Sequence, residues 1–112
     1  MKYALVTGGS RGIGRAVSIQ LAAEAYHVLI NYRSNQAEAE STLKEIVDKG
    51  GSAELLKFDV SNNEEVVGVL GGWVSSNPDK HIEVLVNNAG ITRDNLMVFM
   101  PVEDWDSVLA TN

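Results

Sequence analysis

Cysteine is absent from the 112 residues. That removes a disulfide framework and any thiolate metal site, and it suits a cytoplasmic protein. No apolar run approaches the roughly 20 residues needed to cross a bilayer. The start, Met1-Lys2-Tyr3-Ala4, is too short before the first glycines to be expected as a signal peptide. Positive charge is scarce: nine Lys and Arg stand against 15 Asp and Glu, a net charge of −6. A nucleic-acid surface calls for the opposite sign. His, Asp and Glu form no group with the spacing of a metal site, and no repeat, low-complexity tract or linker interrupts the chain. What remains is 45% hydrophobic, enough for one soluble domain with a modest core.

Short apolar runs alternate with amphipathic stretches. Tyr3–Thr7, His27–Asn31, Leu55–Phe58 and Ile82–Asn87 have the length and residue types of buried strands. Between the first two, Gly12 to about Ala25 places Ile13, Val17 and Leu21 at helical spacing with Ala16 beside them. Asn35 is placed to cap a second helix with Glu38 at its third position. Leu43, Ile46 and Val47 form that helix's apolar stripe, and Gly50-Gly51 ends it. Ser61-Asn62-Asn63-Glu64 has the form of a capping box opening a third helix, which Gly68, Gly71 and Gly72 weaken. Pro101 opens a fourth through Trp105, Val108 and Leu109. The order βαβαβαβα predicts an α/β fold, a doubly wound parallel sheet whose ligands lie beyond the carboxyl ends of its strands.

Two stretches fall at such ends. After the first strand comes Gly8-x-x-x-Gly12-x-Gly14. Gly8 permits a tight turn, Gly12 lets backbone approach a pyrophosphate, and Gly14 lets the helix sit close to the sheet. The free N–H groups of the first helical turn then face an anion. The Lys-Ser/Thr pair of a P-loop does not follow. After the fourth strand comes Asn87-Asn88-Ala89-Gly90, which suits a pocket edge and equally an Asx turn. His27 and His81, at strand starts, read as surface residues. Trp73 and Trp105 read as packing.

Together, Thr7-Gly8-x-x-x-Gly12-x-Gly14, Asp59-Val60, Asn87-Asn88-Ala89-Gly90 and Asn112 resemble the short-chain dehydrogenase/reductase family in order and spacing. The resemblance covers the whole chain. Within the family, residues 87–96 and 103–112 look most like the reductases of 3-oxoacyl thioesters on acyl carrier protein in fatty-acid synthesis. The family implies a Rossmann-like sheet of strand order 3-2-1-4. It implies that Thr7, Gly8, Gly12, Ile13 and Gly14 hold the pyrophosphate and nearby ribose, with Ser10 and Tyr32 also at cofactor-binding positions. Asp59 and Val60 contact adenine, and Asn87, Asn88, Ala89 and Gly90 support strand four and line the adenosine ribose. Asn112 matches the asparagine of the catalytic Asn-Ser-Tyr-Lys set, where it holds a water that connects the lysine to solvent.

Charge argues for NADP(H) over NAD(H). NAD-specific sites place an acid at the end of strand two for the ribose 2′-hydroxyl. Here Asn31-Tyr32-Arg33-Ser34 carries none, and Arg11 and Arg33 suit a 2′-phosphate. The family's Tyr-x-x-x-Lys is missing: Tyr3, Tyr26 and Tyr32 are followed four positions on by Thr7, Ile30 and Gln36. The expectation is therefore the amino-terminal, cofactor-binding half of a reductase, residues 1–112, inactive alone. Its fourth strand and last helix are expected to lack partners, which favours a homo-oligomer. The alternatives are a stand-alone NADP(H)-binding module, or a reductase of another ketone such as acetoacetyl-CoA.

Overall fold

The computed structural model describes residues 1–89 and 108–109. Five parallel strands form one sheet in the order β3-β2-β1-β4-β5: β1 (Lys2–Thr7), β2 (Tyr26–Tyr32), β3 (Ser52–Lys57), β4 (Ile82–Asn87) and β5 (Val108–Leu109). Strand order 3-2-1-4 is as expected. Helix α1 (Gly12–Ala23) joins β1 to β2 and α2 (Gln36–Asp48) joins β2 to β3. A three-part helical stretch leads to β4: α3 (Asn63–Glu65), a π-helical turn at Val66–Leu70, and α4 (Gly71–Ser76).

Register explains the two cores. Leu5 pairs with Leu29 and Leu85, while Val6 pairs with Ile30 and Val86. Successive side chains point to opposite faces, so the leucine row lies on one side and the β-branched row on the other. The leucine row packs with Leu56, Phe58, Val66, Leu70 and Trp73. The β-branched row packs with Ala22 of α1 and Ile46 of α2. Central strands buried on both faces therefore read as unbroken apolar runs.

Several local expectations shift. The buried line of α1 is Gly14, Ser18 and Ala22 rather than Ile13, Val17 and Leu21. Small residues let the helix lie close to the sheet; Val17 and Leu21 pack from the flank, and Ile13 and Ala16 are exposed. In α2 the buried line is Ala39, Thr42 and Ile46, and Val47 faces solvent. β3 begins at Ser52, not Leu55, because β2 supplies a full ladder from His27↔Ser52 to Tyr32↔Lys57. The third helix is capped one residue later than Ser61: the Asn62 side chain accepts from Glu65 N–H at 3.2 Å, and Glu65 answers through Asn62 Nδ2 at 3.0 Å. Gly68 lies in the π turn, where Val66 and Leu70 stay buried while Val67 and Gly68 are exposed, and Gly71 and Gly72 open α4 directly after it.

His27 is not a surface residue. Its side chain is mostly enclosed, between Ser52 Oγ at 3.0 Å and Glu54 Oε2 at 2.7 Å, with Tyr3 packed edge-on. The expected helix through Val108 and Leu109 is also corrected. Those residues form β5, pairing with Leu85 and Val86 along the open edge of β4, where two apolar residues satisfy exposed ladder groups. The edge of β4 expected to stand open is thus partly covered. Trp105 lies outside the described residues. No described helix is long and apolar enough to cross a membrane.

Candidate functional site: the carboxyl ends of β1 to β4

The glycine loop follows β1 and leads into α1. Gly8 and Gly12 both adopt left-handed backbone, at φ 62° and 60°, a conformation that side chains disfavour. Gly14 answers a different need. A Cβ there would lie 2.0 Å from the Gly8 carbonyl oxygen. The loop thus folds back against the first turn of α1 at a distance only glycine permits. At Gly12 a Cβ would meet nothing within 4 Å, so the turn opens to solvent there.

Helix α1 begins without a side-chain cap. Its N-cap residue is Arg11, in extended backbone and with no capping hydrogen bond. Each orphan N–H of such a turn wants an acceptor. The loop backbone, by contrast, is tied down from all sides. Gly9 N–H donates to the Asn31 carbonyl at 2.9 Å, and Gly8 N–H to Asn31 Oδ1 at 3.1 Å. Thr42 Oγ1, buried on α2, lies 2.8 Å from the Ser10 carbonyl. Asn88 Nδ2 donates to the Gly8 carbonyl at 3.2 Å. Thr7 Oγ1 is buried, accepts from Ala89 N–H at 3.0 Å and lies 3.2 Å from Asn87 Oδ1. The end of β1 is therefore stitched to the turn after β4.

Of the expected site residues, Thr7, Gly8, Gly12, Ile13, Gly14, Asn87, Asn88 and Ala89 come together at this mouth. Ile13 is 61% exposed at the start of α1. Ser10 and Tyr32 are buried, each 7% exposed. Gly90 and Asn112 lie outside the described residues. Gly9, Asn31, Ser18 and Thr42 were not foreseen. At Gly9 a Cβ would lie 2.9 Å from Ser18 Oγ, and Ser18 Oγ is itself 2.8 Å from the Gly14 carbonyl. The signal available was a polar residue inside each apolar stripe.

The second patch is made by the ends of β2 and β3. Asp59 follows β3; its Oδ1 accepts from the Ser61 amide at 2.9 Å and the Ser61 hydroxyl at 2.7 Å. Those bonds, with Arg33 nearby, hold the carboxyl below its usual range, so it stays an acceptor at neutral pH. Asp59 Oδ2 stands 3.3 Å from Arg33 Nε, and Arg11 Nε stands 4.0 Å from Glu38 Oε2. Both arginine side chains are more than two-thirds exposed. Such surface pairs are weak, so each guanidinium is free to turn to a stronger anion. Val60 packs partly into the leucine-side core. A separate crevice of about 230 Å³ between the far ends of α1 and α2 is lined by Ile19, Ala22, Ile46 and Gly51, among others, and lies away from these groups.

A parallel sheet ordered 3-2-1-4, a glycine turn into an uncapped helix and an asparagine pair at the end of β4 define a Rossmann-like fold. The chain belongs to the short-chain dehydrogenase family, whose family model matches residues 2–112. It is 45% identical over 111 residues to the 3-oxoacyl-[acyl-carrier-protein] reductase FabG of Staphylococcus aureus (strain Mu50), covering 99% of this chain and 44% of that one. It is 43% identical over 113 residues to the 3-oxoacyl-[acyl-carrier-protein] reductase of Synechocystis sp., again covering 99% and 44%. Among solved structures it resembles a metagenomic short-chain oxidoreductase in complex with NADP, with a TM-score of 0.72, 30% identity and coverage of 96% of this chain and 48% of that one. The chain thus spans less than half the length of the relatives it matches.

Proposed function

We propose that residues 1–112 form the NADP(H)-binding half of a short-chain reductase that converts a 3-oxoacyl thioester on acyl carrier protein to the 3-hydroxyacyl thioester. The dinucleotide part of this is carried by the contact at Gly14, where loop and helix meet too closely for any Cβ, and the substrate class is supported by the similarity to the two 3-oxoacyl-[acyl-carrier-protein] reductases. That cradle fits a dinucleotide: backbone reaches the pyrophosphate unobstructed, with Gly12, Ile13 and Gly14 offering the N–H groups of the first turn of α1. Thr7 and Asn88 hold the cradle, and the stretch from Asn87 to Gly90 is proposed to line the adenosine ribose. Asp59 accepts from the adenine amine with Val60 beside it, and Arg33 and Arg11 exchange Asp59 and Glu38 for the 2′-phosphate. The bound nicotinamide supplies hydride to the 3-keto carbon. Asn112 is proposed to hold the relay water.

No tyrosine in these residues is followed four positions on by lysine. The 112-residue chain is accordingly expected to bind NADPH without oxidising it, since the proton donor to the ketone is missing. That same observation supports the second reading, a nucleotide-binding module without catalysis. NADPH oxidation with an acetoacetyl thioester, by a protein whose coding sequence continues past residue 112, separates the two; a rate at background leaves the module. Calorimetric titration of this chain with NADPH and NADH tests the cofactor directly. NADPH is expected to bind more tightly, and equal dissociation constants would overturn the arginine assignment. Self-association is also proposed, because among the described residues β5 pairs with Leu85 and Val86 alone on that edge of β4. A monomer throughout a sedimentation series would count against it.

A further inference from the structure

One buried side chain links the two patches. Asn31, near the end of β2, is 2% exposed. Its Oδ1 accepts from Gly8 N–H at 3.1 Å, on the glycine loop. Its Nδ2 donates to the Phe58 carbonyl at 2.9 Å and the Leu56 carbonyl at 3.3 Å. Phe58 immediately precedes Asp59. A carboxamide has one acceptor end and two donor hydrogens; here both ends are used, on opposite sides of β2. A flipped amide would set NH2 against Gly8 N–H and oxygen against two carbonyls, so the network fixes its orientation.

We propose that Asn31 is a positioning residue that couples the pyrophosphate loop to the Asp59 turn, so that engaging one end of the nucleotide cradle orders the other. The inference rests on the reading that both patches hold one dinucleotide. Aspartate accepts from Gly8 but has no donor for Phe58 and Leu56. Serine is too short to reach both sides. Leucine leaves a buried N–H and two carbonyls unpaired, each costly in a dry site. Thr42 and Ser18 also brace the loop, but neither is bonded to the Asp59 turn.

The test reads the Gly8 amide by hydrogen exchange, with binding measured alongside. The probes are NADPH and adenosine 2′-monophosphate, which lacks the pyrophosphate. In the wild-type chain, saturating adenosine 2′-monophosphate is expected to slow Gly8 exchange about tenfold, and to do so equally in R11A, where its 2′-phosphate keeps Arg33 but no longer has a side chain of the glycine loop to touch. In N31S, Gly8 exchange is expected to be about tenfold faster and indifferent to that ligand. NADPH should then bind about tenfold more weakly, the equivalent of one buried hydrogen bond. N31D isolates the other arm: Gly8 stays protected while adenosine 2′-monophosphate binding weakens. I46A, a core change remote from the loop, should lower stability without moving either dissociation constant. If neither ligand binds the wild-type chain, the dinucleotide reading itself fails and the coupling with it. If both bind and Gly8 exchange in the wild-type chain ignores adenosine 2′-monophosphate, the coupling alone is overturned, whether or not the variants fold.

Discussion

Helices α1 and α2 use glycine at opposite ends. α1 begins on a glycine turn with no side-chain cap and ends on Ala25, an alanine held at φ 72°. α2 begins on Asn35, whose side chain accepts from Glu38 N–H at 3.1 Å, and ends on Gly50 at φ 86°. There the amides of Gly50 and Gly51 donate to the carbonyls of Val47 and Ile46, both at 2.9 Å, a Schellman closure. Both helices cover the same face of the sheet, so packing does not explain the contrast. α2 satisfies its own termini. α1 leaves its first turn for something else, and accepts a strained residue where a glycine would serve the fold better.

If that is right, the sharpest break comes at Gly14. Gly14→Ala would set a methyl 2.0 Å from the Gly8 oxygen, so loop and helix must part. Overpacking of this kind costs about 1–3 kcal/mol, and the loop that moves is the proposed binding surface. NADPH affinity is expected to fall by at least ~100-fold, measured by calorimetry, with a smaller loss of melting temperature. Near-normal affinity would mean that the close approach serves only packing.

Arg33→Ala should act next most strongly, and selectively. Losing a charge-assisted contact to a phosphate is worth about 1.5–3 kcal/mol, a fall in NADPH affinity of roughly 10- to 100-fold. NADH affinity should hardly move, since it has no 2′-phosphate. Parallel losses for both nucleotides would place Arg33 elsewhere. The Asp59 carboxyl, held low by Ser61 and by Arg33, contributes its share above the unfolded-state pKa. That share fades only as pH falls through the depressed value, so the Arg33 pair should persist across the neutral range.

Asn35→Ala tests the other helix. Loss of a cap costs ~1 kcal/mol of stability. No nucleotide group is assigned to Asn35, so the affinity of the folded protein for NADPH should stay within about twofold by titration. Loss of affinity beyond its loss of stability would show that α2 reaches the loop, for which Thr42 on the Ser10 carbonyl is the route.

The contrast was half legible in the sequence. The Asn35 cap and the Gly50-Gly51 end follow from residue type and spacing alone, because each depends on neighbours within a turn, whereas the strand order 3-2-1-4 came from the family resemblance. The same rules misplaced the buried stripe of α1 by one residue, choosing Ile13, Val17 and Leu21 over Gly14, Ser18 and Ala22. Periodicity ranks residues by hydrophobicity, whereas a helix against a flat sheet is seated by its smallest residues. Asn31 and Thr42 were passed over for a related reason. A polar residue in an apolar run shows its worth only when its distant partners, Gly8, Phe58 and Ser10, are known. Arg33 and Asp59 were each recognised, but their pairing required the register of β2 on β3.

The smallest effect expected is a gain. Ala25 is the only described non-glycine residue with positive φ. An L-residue in left-handed backbone costs roughly 1–2 kcal/mol, and Ala25→Gly would remove that strain. Glycine also frees the unfolded chain, which takes back about 0.4–1 kcal/mol. The net is a stabilisation of ~0.5 kcal/mol, a few degrees or less in melting temperature for a domain of this size. Because Ala25 lies at the far end of α1 from the glycine loop, nucleotide affinity should be unchanged. A rise in melting temperature without a change in affinity would separate the end of α1 that serves the fold from the end that serves the ligand. A fall would show that the alanine methyl makes packing contacts worth more than its backbone strain.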